Sequence, residues 1–208
     1  MLFGADLNET SIEMTQTTAA APSHTIAAEP ARVAVAESAI VTTIAGRRVL
    51  AVLRLATGFI FLWAFLDKTF GLGFSTLSKA SWLSGGAPSQ GFLKSPAVTG
   101  PFKGFFAAIA SPTTDVLFML AMLAVGVAVM AGIGLRISAI AGTIVLLFMY
   151  LAEWPFTANA ASTNPLVDYH VIYALALIVI AVVSAGDTWG LGRAWKRLNV
   201  VQHNRWLI

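Results

Sequence analysis

Residues 49–70 read VLAVLRLATGFIFLWAFLDKTF, and this stretch decides the fold of the chain. A helix rises about 1.5 Å per residue, so about 20 apolar residues cross a hydrocarbon core of roughly 30 Å. Backbone polar groups in lipid must find hydrogen-bond partners within their own segment. The stretch therefore predicts a transmembrane α-helix.

Three further apolar windows repeat this pattern along the chain. Of its 208 residues, 57% are hydrophobic and 11% are charged, whereas a soluble domain usually carries about 25% charged residues. The predicted fold class is all-α, a polytopic four-helix transmembrane bundle over residues 47–208. Its spans are predicted at about 49–70, 115–134, 136–154 and 165–186.

The segments outside the spans carry different predictions. Residues 1–46 are expected to form a disordered cytoplasmic tail, because Pro22 and Pro30 interrupt a polar stretch without an apolar stripe. No cleaved signal peptide is expected, since the start lacks a basic region followed by an apolar one. The long extracytoplasmic loop, residues 71–113, should contain short interfacial helices on the outer surface. Aromatic rings are expected there at headgroup level: Trp82, Phe92, Phe105 and Phe106.

Lysine and arginine in the short flanks predict the orientation. Arg47, Arg48 and Arg136 share one side with the basic residues after the fourth span if there are four crossings. Those last residues are Arg193, Lys196, Arg197 and Arg205. We therefore expect a multi-pass protein of a bacterial-type plasma membrane, with both termini cytoplasmic.

Small and capping residues predict local packing. Ala124, Ala128 and Gly132 follow one another at four-residue spacing and form a face that lets another helix approach closely. Asn164 and Pro165 are expected to open the fourth span, because Asn is a good N-cap and Pro suits the first helical turn.

Arg54 is the clearest ionisable residue inside a span. Burying such a group costs about 2.5–3.5 kcal/mol on insertion scales, so it normally faces a partner or a cavity. In one interpretation Arg54 reaches the headgroups or pairs with Asp187 at the end of the fourth span. In the other it contacts an anion or a quinone.

Five ionisable residues are expected to converge at the outer face: Asp67, Lys68, Glu153, Asp168 and His170. Lys68 and His170 would hold an anionic substrate or a quinone carbonyl. Glu153 and Asp168 would relay the protons that quinone reduction consumes, and His170 suits such work because imidazole titrates near neutrality. The competing interpretation is a set of ion pairs that fix the helix ends.

Aromatic residues and absent residue types narrow the chemistry. Trp63 and Trp154 either line a quinone ring or anchor helix ends, and Tyr173 should stack on Tyr169 and flank the same pocket as His170. The chain has no cysteine, which excludes disulfides and thiolate metal sites. No metal site and no covalently bound cofactor are expected, so a redox role requires a bound carrier such as a quinone.

Several short motifs resemble the DoxX family of small four-helix membrane proteins. They are Leu53-Arg54-Leu55-Ala56-Thr57-Gly58, Leu66-Asp67-Lys68-Thr69-Phe70-Gly71, Ala152-Glu153-Trp154-Pro155, Asp168-Tyr169-His170 and Gly190-Leu191-Gly192-Arg193. The resemblance covers residues 47–208. It implies similarity to the large subunit of thiosulfate:quinone oxidoreductase, which passes electrons from thiosulfate to a membrane quinone.

Two functional hypotheses follow. The first is a quinone-linked oxidoreductase subunit with thiosulfate or another small donor. The alternative is a non-catalytic accessory or assembly subunit of a respiratory or oxidative-stress complex, while a transporter or channel is less favoured because four helices enclose little space. The expected partners are the lipid bilayer and either a subunit of a membrane redox complex or further copies of the chain. No nucleic acid is expected, because basic runs are absent.

Overall fold

The computed structural model describes residues 40–157 and 164–208. Most of the predicted disordered tail, residues 1–39, lies outside the described residues. Within the described ranges the chain is helical and contains no β-strand. The α-helices are α1 (Ile44–Phe70), α2 (Pro88–Leu93), α3 (Lys103–Ile109), α4 (Pro112–Ala131), α5 (Leu135–Ala152), α6 (Tyr169–Val182), α7 (Gly192–Trp195) and α8 (Asn199–His203). The 3₁₀-helices are Ser78–Ala80, Trp82–Ser84, Ala185–Asp187 and Arg205–Leu207.

Three helices, α1, α4 and α5, are long and apolar enough to cross a membrane, with 27, 20 and 18 residues. Only 28%, 33% and 33% of the residues in their most apolar windows are buried inside the protein. The remaining apolar side chains face outward, where water would not solvate them. These three predicted spans are therefore consistent with a membrane protein.

Helix α1 begins earlier than the sequence pattern predicted. Thr43 is its N-cap, and the Thr43 hydroxyl accepts a hydrogen bond of 3.1 Å from the Gly46 amide. Residues 44–46 are therefore helical, and the predicted tail boundary at residue 46 is wrong by three residues. The capping threonine was missed because the apolar pattern begins only at Val49.

The fourth apolar helix, α6, is shorter than predicted. It has 14 residues, which span about 21 Å, instead of covering 165–186. Its N-cap is Asp168, whose carboxylate accepts hydrogen bonds from the amides of His170 and Val171. Asn164 was wrongly predicted as the cap.

Asn164 instead closes a turn before α6. Its side-chain oxygen accepts hydrogen bonds from the amides of Leu166 at 2.9 Å and Val167 at 3.3 Å. Asparagine bonds to backbone groups two and three residues ahead in such turns as readily as at a helix start. At the other end, Ser184 adopts a left-handed backbone with φ of 50°, which ends the helical path before Gly186.

The long helices pack in a ring in which α1 contacts α4, α4 contacts α5, α5 contacts α6, and α6 contacts α1. The core between them contains Phe61, Val125, Leu146, Leu177 and Ile180. Helices α1 and α4 approach each other closely at Gly126, where an added Cβ would lie 2.6 Å from the Leu62 amide nitrogen.

The predicted small-residue face of α4 does not make this contact. Ala124 is exposed, and Gly132 lies beyond the helix as its C-cap with φ of 78°. Gly126 makes the contact because it lies on the side of α4 that also carries the buried Met122 and Val129. Four-residue spacing identifies a helix face but does not say which partner it meets.

The ring has two distinct ends. At the loop end lie the last turn of α1, the first turn of α4, the last turn of α5 and the first turn of α6. At the turn end, Gly132–Gly134 joins α4 to α5. The C-terminal segment also returns to the turn end, because the Arg136 amide donates a hydrogen bond of 3.2 Å to the Ile208 carbonyl.

The long loop between α1 and α4 contains two 3₁₀-helices and the short helices α2 and α3. It is fastened to α5, since the Thr99 amide donates a hydrogen bond of 2.9 Å to the Ala152 carbonyl. Phe106 is 2% exposed and packs with Val98 and Ala152, so its ring faces the protein interior and not the outer surface. Its neighbour Phe105 is 51% exposed.

Candidate functional site

A cavity of about 940 Å³ lies at the loop end, between α4 and α5 and beneath the long loop. Its walls are mostly apolar. They include Phe92 and Phe106 from the loop helices, Leu117 and Ala121 from α4, and Ile144 and Phe148 from α5. No described residue of α6 lines it. A concave apolar cavity with few polar groups is the usual form of a small-molecule site.

Lys68 is the charged residue that lines this cavity. Its ammonium donates a hydrogen bond of 3.3 Å to the Ser75 hydroxyl, which also lines the cavity. An ammonium carries three N–H donors, so this contact leaves donor capacity for a ligand. Sequence analysis predicted Lys68 as a site residue, and the structure places it at the cavity wall.

Asp67 does not line the cavity and hydrogen-bonds to the loop. It is 1% exposed and accepts hydrogen bonds from the Ser75 hydroxyl at 2.6 Å, the Ser75 amide at 2.9 Å and the Phe74 amide at 3.2 Å. These bonds satisfy a carboxylate that burial would otherwise penalise. Asp67 therefore holds Ser75 beside Lys68.

Asp115 fastens the loop in a similar way at the start of α4. It is 2% exposed and accepts hydrogen bonds from the Ser89 hydroxyl at 2.6 Å and from the Ser89 amide at 2.8 Å. Ser89 lines the cavity. Neither Asp115 nor Ser89 was predicted from the sequence. A carboxylate in the first turn of an apolar helix is a signal that could have identified Asp115.

A second polar cluster lies where α5 ends and α6 begins. The His170 Nδ1 atom lies 2.7 Å from an Asp168 carboxylate oxygen, and His170 is 3% exposed. The Tyr169 hydroxyl donates a hydrogen bond of 3.0 Å to Glu153. The rings of Tyr169 and Tyr173 are in contact as predicted, but they meet edge to face at 5.9 Å and do not stack.

The five residues expected to converge thus form two groups. Lys68 and Asp67 hydrogen-bond to Ser75 of the loop. In the second group Asp168 bonds to His170, and Glu153 accepts a hydrogen bond from Tyr169, the residue between them in sequence. Among the described residues no hydrogen bond or ion pair joins the two groups, and only Lys68 of the five lines the cavity. All five residues lie at the loop end, but they do not converge on one pocket as the sequence predicted.

Two substitutions at Asp168 test its structural role as the N-cap of α6. Asp168→Ala is expected to destabilise the protein by about 1 kcal/mol, because it removes the N-cap of α6. Asp168→Asn retains a capping oxygen and should lower the stability by only a few tenths of a kcal/mol. Thermal unfolding in detergent measures both. If Asp168→Asn were as unstable as Asp168→Ala, capping would not be the structural role of this residue.

Arg54 does not line the cavity described above, and it does not pair with Asp187. It is fully buried, and its guanidinium donates hydrogen bonds to the carbonyls of Val129 at 2.8 Å, Met130, and Trp189 at 2.9 Å. Asp187 pairs with Lys196 instead, at 2.8 Å. The proposed Arg54–Asp187 pair is therefore wrong, because the guanidinium bonds to backbone carbonyls at the end of α4 instead.

The two tryptophans belong to aromatic clusters and do not line the cavity. The Trp63 ring packs against Phe74 at 5.2 Å and Phe59 at 5.8 Å. The Trp154 ring packs against Phe156 at 5.2 Å and Phe102 at 5.6 Å. In the described ranges no group of three or more His, Asp or Glu side chains is placed to hold a metal ion.

Comparison of the chain with protein-family models, with curated proteins and with solved structures finds no match.

Proposed function

We propose that the chain is a four-helix integral membrane protein, similar to the DoxX family, that binds a membrane quinone and passes electrons to it. The observation that carries this proposal is the apolar cavity of about 940 Å³ with the Lys68 ammonium at its wall. A quinone presents a flat apolar ring and carbonyl oxygens that accept hydrogen bonds. The cavity offers complementary groups to both.

In this proposal Lys68 donates a hydrogen bond to one quinone carbonyl. A hydrogen bond from a charged donor contributes about 1.5–3 kcal/mol. It also stabilises negative charge that develops on the carbonyl oxygen as electrons arrive. Ser75, held by Asp67, keeps the ammonium at the cavity wall.

The redox step balances with a small anionic donor. Two thiosulfate ions join through a new sulfur–sulfur bond to give tetrathionate and release two electrons. The quinone takes up these two electrons and two protons to become a quinol. The group formed by His170, Glu153 and Asp168 does not line the cavity, and it is proposed to exchange protons with water at the loop end, where the His170–Asp168 pair fixes the imidazole orientation.

The same proposal places the loop end outside the cytoplasm and both termini within it. It rests on the arginines near the turn end and on the return of the C-terminus to Arg136. Helix α6 then crosses the membrane as a short fourth span.

Quinone binding tests the proposal directly. Purified protein in lipid nanodiscs should bind a decyl-substituted benzoquinone, and Lys68→Met should weaken that binding about tenfold or more, because 1.4 kcal/mol corresponds to a factor of ten. The matched control is Lys79→Met, an exposed lysine of the same loop end that does not line the cavity. Equal affinity of the Lys68→Met and Lys79→Met proteins, or no binding by the wild-type protein, would overturn the proposal.

A further inference from the structure

The cavity lies against one side of the helix ring. Apart from Lys68 of α1, the long helices that border it are α4 and α5, and no described residue of α6 contributes. Three apolar wall residues on α4 and α5 are also exposed: Leu117 by 62%, Ile144 by 50% and Phe148 by 43%. In a bilayer this side of α4 and α5 would face hydrocarbon chains, because its side chains are apolar.

The cavity extends well down the length of the two helices. On α4 its lining runs from Thr114 to Ala121, a rise of about 10 Å, and on α5 from Ala152 back to Ile144, about 12 Å. Ala121 is at the middle of α4, which covers Pro112–Ala131. The apolar wall therefore reaches from the loop end to about half the depth of the span.

Close packing closes the cavity on the side of the turn end. An added Cβ on Gly142 of α5 would lie 2.6 Å from the Leu177 side chain of α6 and 3.3 Å from the Val125 side chain of α4, so α5 packs into the core between the helices at this level. About one turn nearer the loop end, Ala121 and Val145 line the cavity. The space is thus a wedge between α4 and α5, closed at its narrow part and covered by the loop at its wide part.

Polar groups occur only toward the wide part of the wedge. Lys68, Ser75, Thr76, Ser89 and Thr114 line it there, near the loop. The lining side chains nearer mid-membrane, from Leu117 and Ala121 to Ile144, are all apolar. This gradient matches an amphiphile whose head accepts hydrogen bonds and whose hydrocarbon tail points toward the bilayer centre.

We infer that the wedge between α4 and α5 is a lateral-entry site for a long-chain, lipid-soluble amphiphile. The head binds at Lys68, and the tail lies between Leu117 and Ala121 of α4 and Ile144 and Phe148 of α5. The ligand enters from the membrane and never crosses the aqueous phase. Identification of the head as a quinone rests on the proposed function, whereas the lateral tail site rests on the wedge itself.

Filling the tail region tests this inference. Ala121→Trp places an indole inside the wedge, and Ala124→Trp places one on the exposed side of the same helix as a matched control. Three probes are used in nanodiscs: a decyl-substituted benzoquinone, the same ring without its decyl chain, and palmitate. Ala121→Trp should weaken the binding of both long-chain probes about tenfold or more, because the indole excludes the hydrocarbon tail from the apolar wall that would otherwise bury it.

The tail-less ring and the Ala124→Trp protein should stay within about twofold of wild-type affinity, a difference below 0.5 kcal/mol. If Ala121→Trp does not fold, Ile144→Trp against Ile140→Trp repeats the comparison on α5, since Ile140 is 65% exposed and outside the cavity lining. Equal effects on tail-less and decyl-bearing rings would overturn the lateral site. Binding of palmitate without any quinone binding would support the lateral site and overturn the proposed quinone function.

Discussion

Replacing Arg54 with methionine is expected to lower the free energy of unfolding by about 3 kcal/mol or more, the largest loss for a single side chain in this protein. The guanidinium joins the end of α4 to the segment after the Ala185–Asp187 turn, through the carbonyls of Val129, Met130 and Trp189. A buried acceptor without its donor costs about 1–3 kcal/mol, and methionine supplies none. Thermal unfolding in detergent, followed by loss of the monodisperse species, measures the effect.

Arg54→Lys keeps the positive charge at this position but loses the planar guanidinium. A single ammonium cannot reach both sets of carbonyls that the planar fork of arginine reaches, so this variant should also be destabilised. The matched control is Arg48→Met, because Arg48 lies on the same helix and is exposed. If Arg54→Met unfolded at the wild-type temperature, the guanidinium would not support the structure, and a ligand-binding role for Arg54 would have to be reconsidered.

Gly186→Ala should cause the second large loss of stability. A Cβ at this position would lie 2.2 Å from the Gly132 carbonyl oxygen and 2.8 Å from its carbon, both backbone atoms. Overpacking usually costs about 1–3 kcal/mol, and backbone yields less easily than a side chain. The added methyl would separate the end of α4 from the segment after α6, and with it the carbonyls that Arg54 joins.

Gly104→Ala provides the control for the glycine. Gly104 lies in α3, and an added Cβ there would meet no atom within 4 Å. Alanine is favoured over glycine inside a helix by about 0.5–1 kcal/mol, so this variant should be as stable as wild type or slightly more stable. Equal melting temperatures for the Gly186→Ala and Gly104→Ala proteins would contradict the close backbone contact.

The packing at Gly186 also gives a physical meaning to one of the sequence motifs. Within Gly190-Leu191-Gly192, the Leu191 amide donates a hydrogen bond of 2.8 Å to the Ala131 carbonyl. Side chains at Gly190 or Gly192 would collide with the backbone of Gly186. These glycines let the C-terminal segment lie directly against the end of α4, so this motif acts through packing.

Hydropathy predicted the parts of the fold that depend on composition. The three long apolar helices follow from residues 49–70 and their counterparts, because each must satisfy its own backbone in lipid. Helix ends were less predictable, since they depend on single capping bonds. Thr43 extends α1 beyond the apolar pattern, and α6 is capped by Asp168 instead of the predicted Asn164.

The candidate site, like the fold, could be predicted only in part. Lys68 was predicted as a site residue because it falls at one end of the bundle with four other ionisable residues, and it lines the cavity. The cavity itself was not predicted, because it depends on loop residues such as Phe92 and Phe106 folding over α4 and α5. The bonds from Ser89 to Asp115 join residues 26 positions apart, and periodicity within one helix carries no information about such contacts.

The sidedness of the two ends tests the central claim most directly. The chain has no cysteine, so single cysteines can be introduced at exposed positions: Ser84→Cys at the loop end, and Arg48→Cys and Gln202→Cys toward the turn end. Four crossings predict that a membrane-impermeant maleimide added to intact cells labels Ser84→Cys and leaves the other two unlabelled until the membrane is opened. Labelling of Gln202→Cys together with Ser84→Cys would mean that α6 does not cross, and would contradict the account.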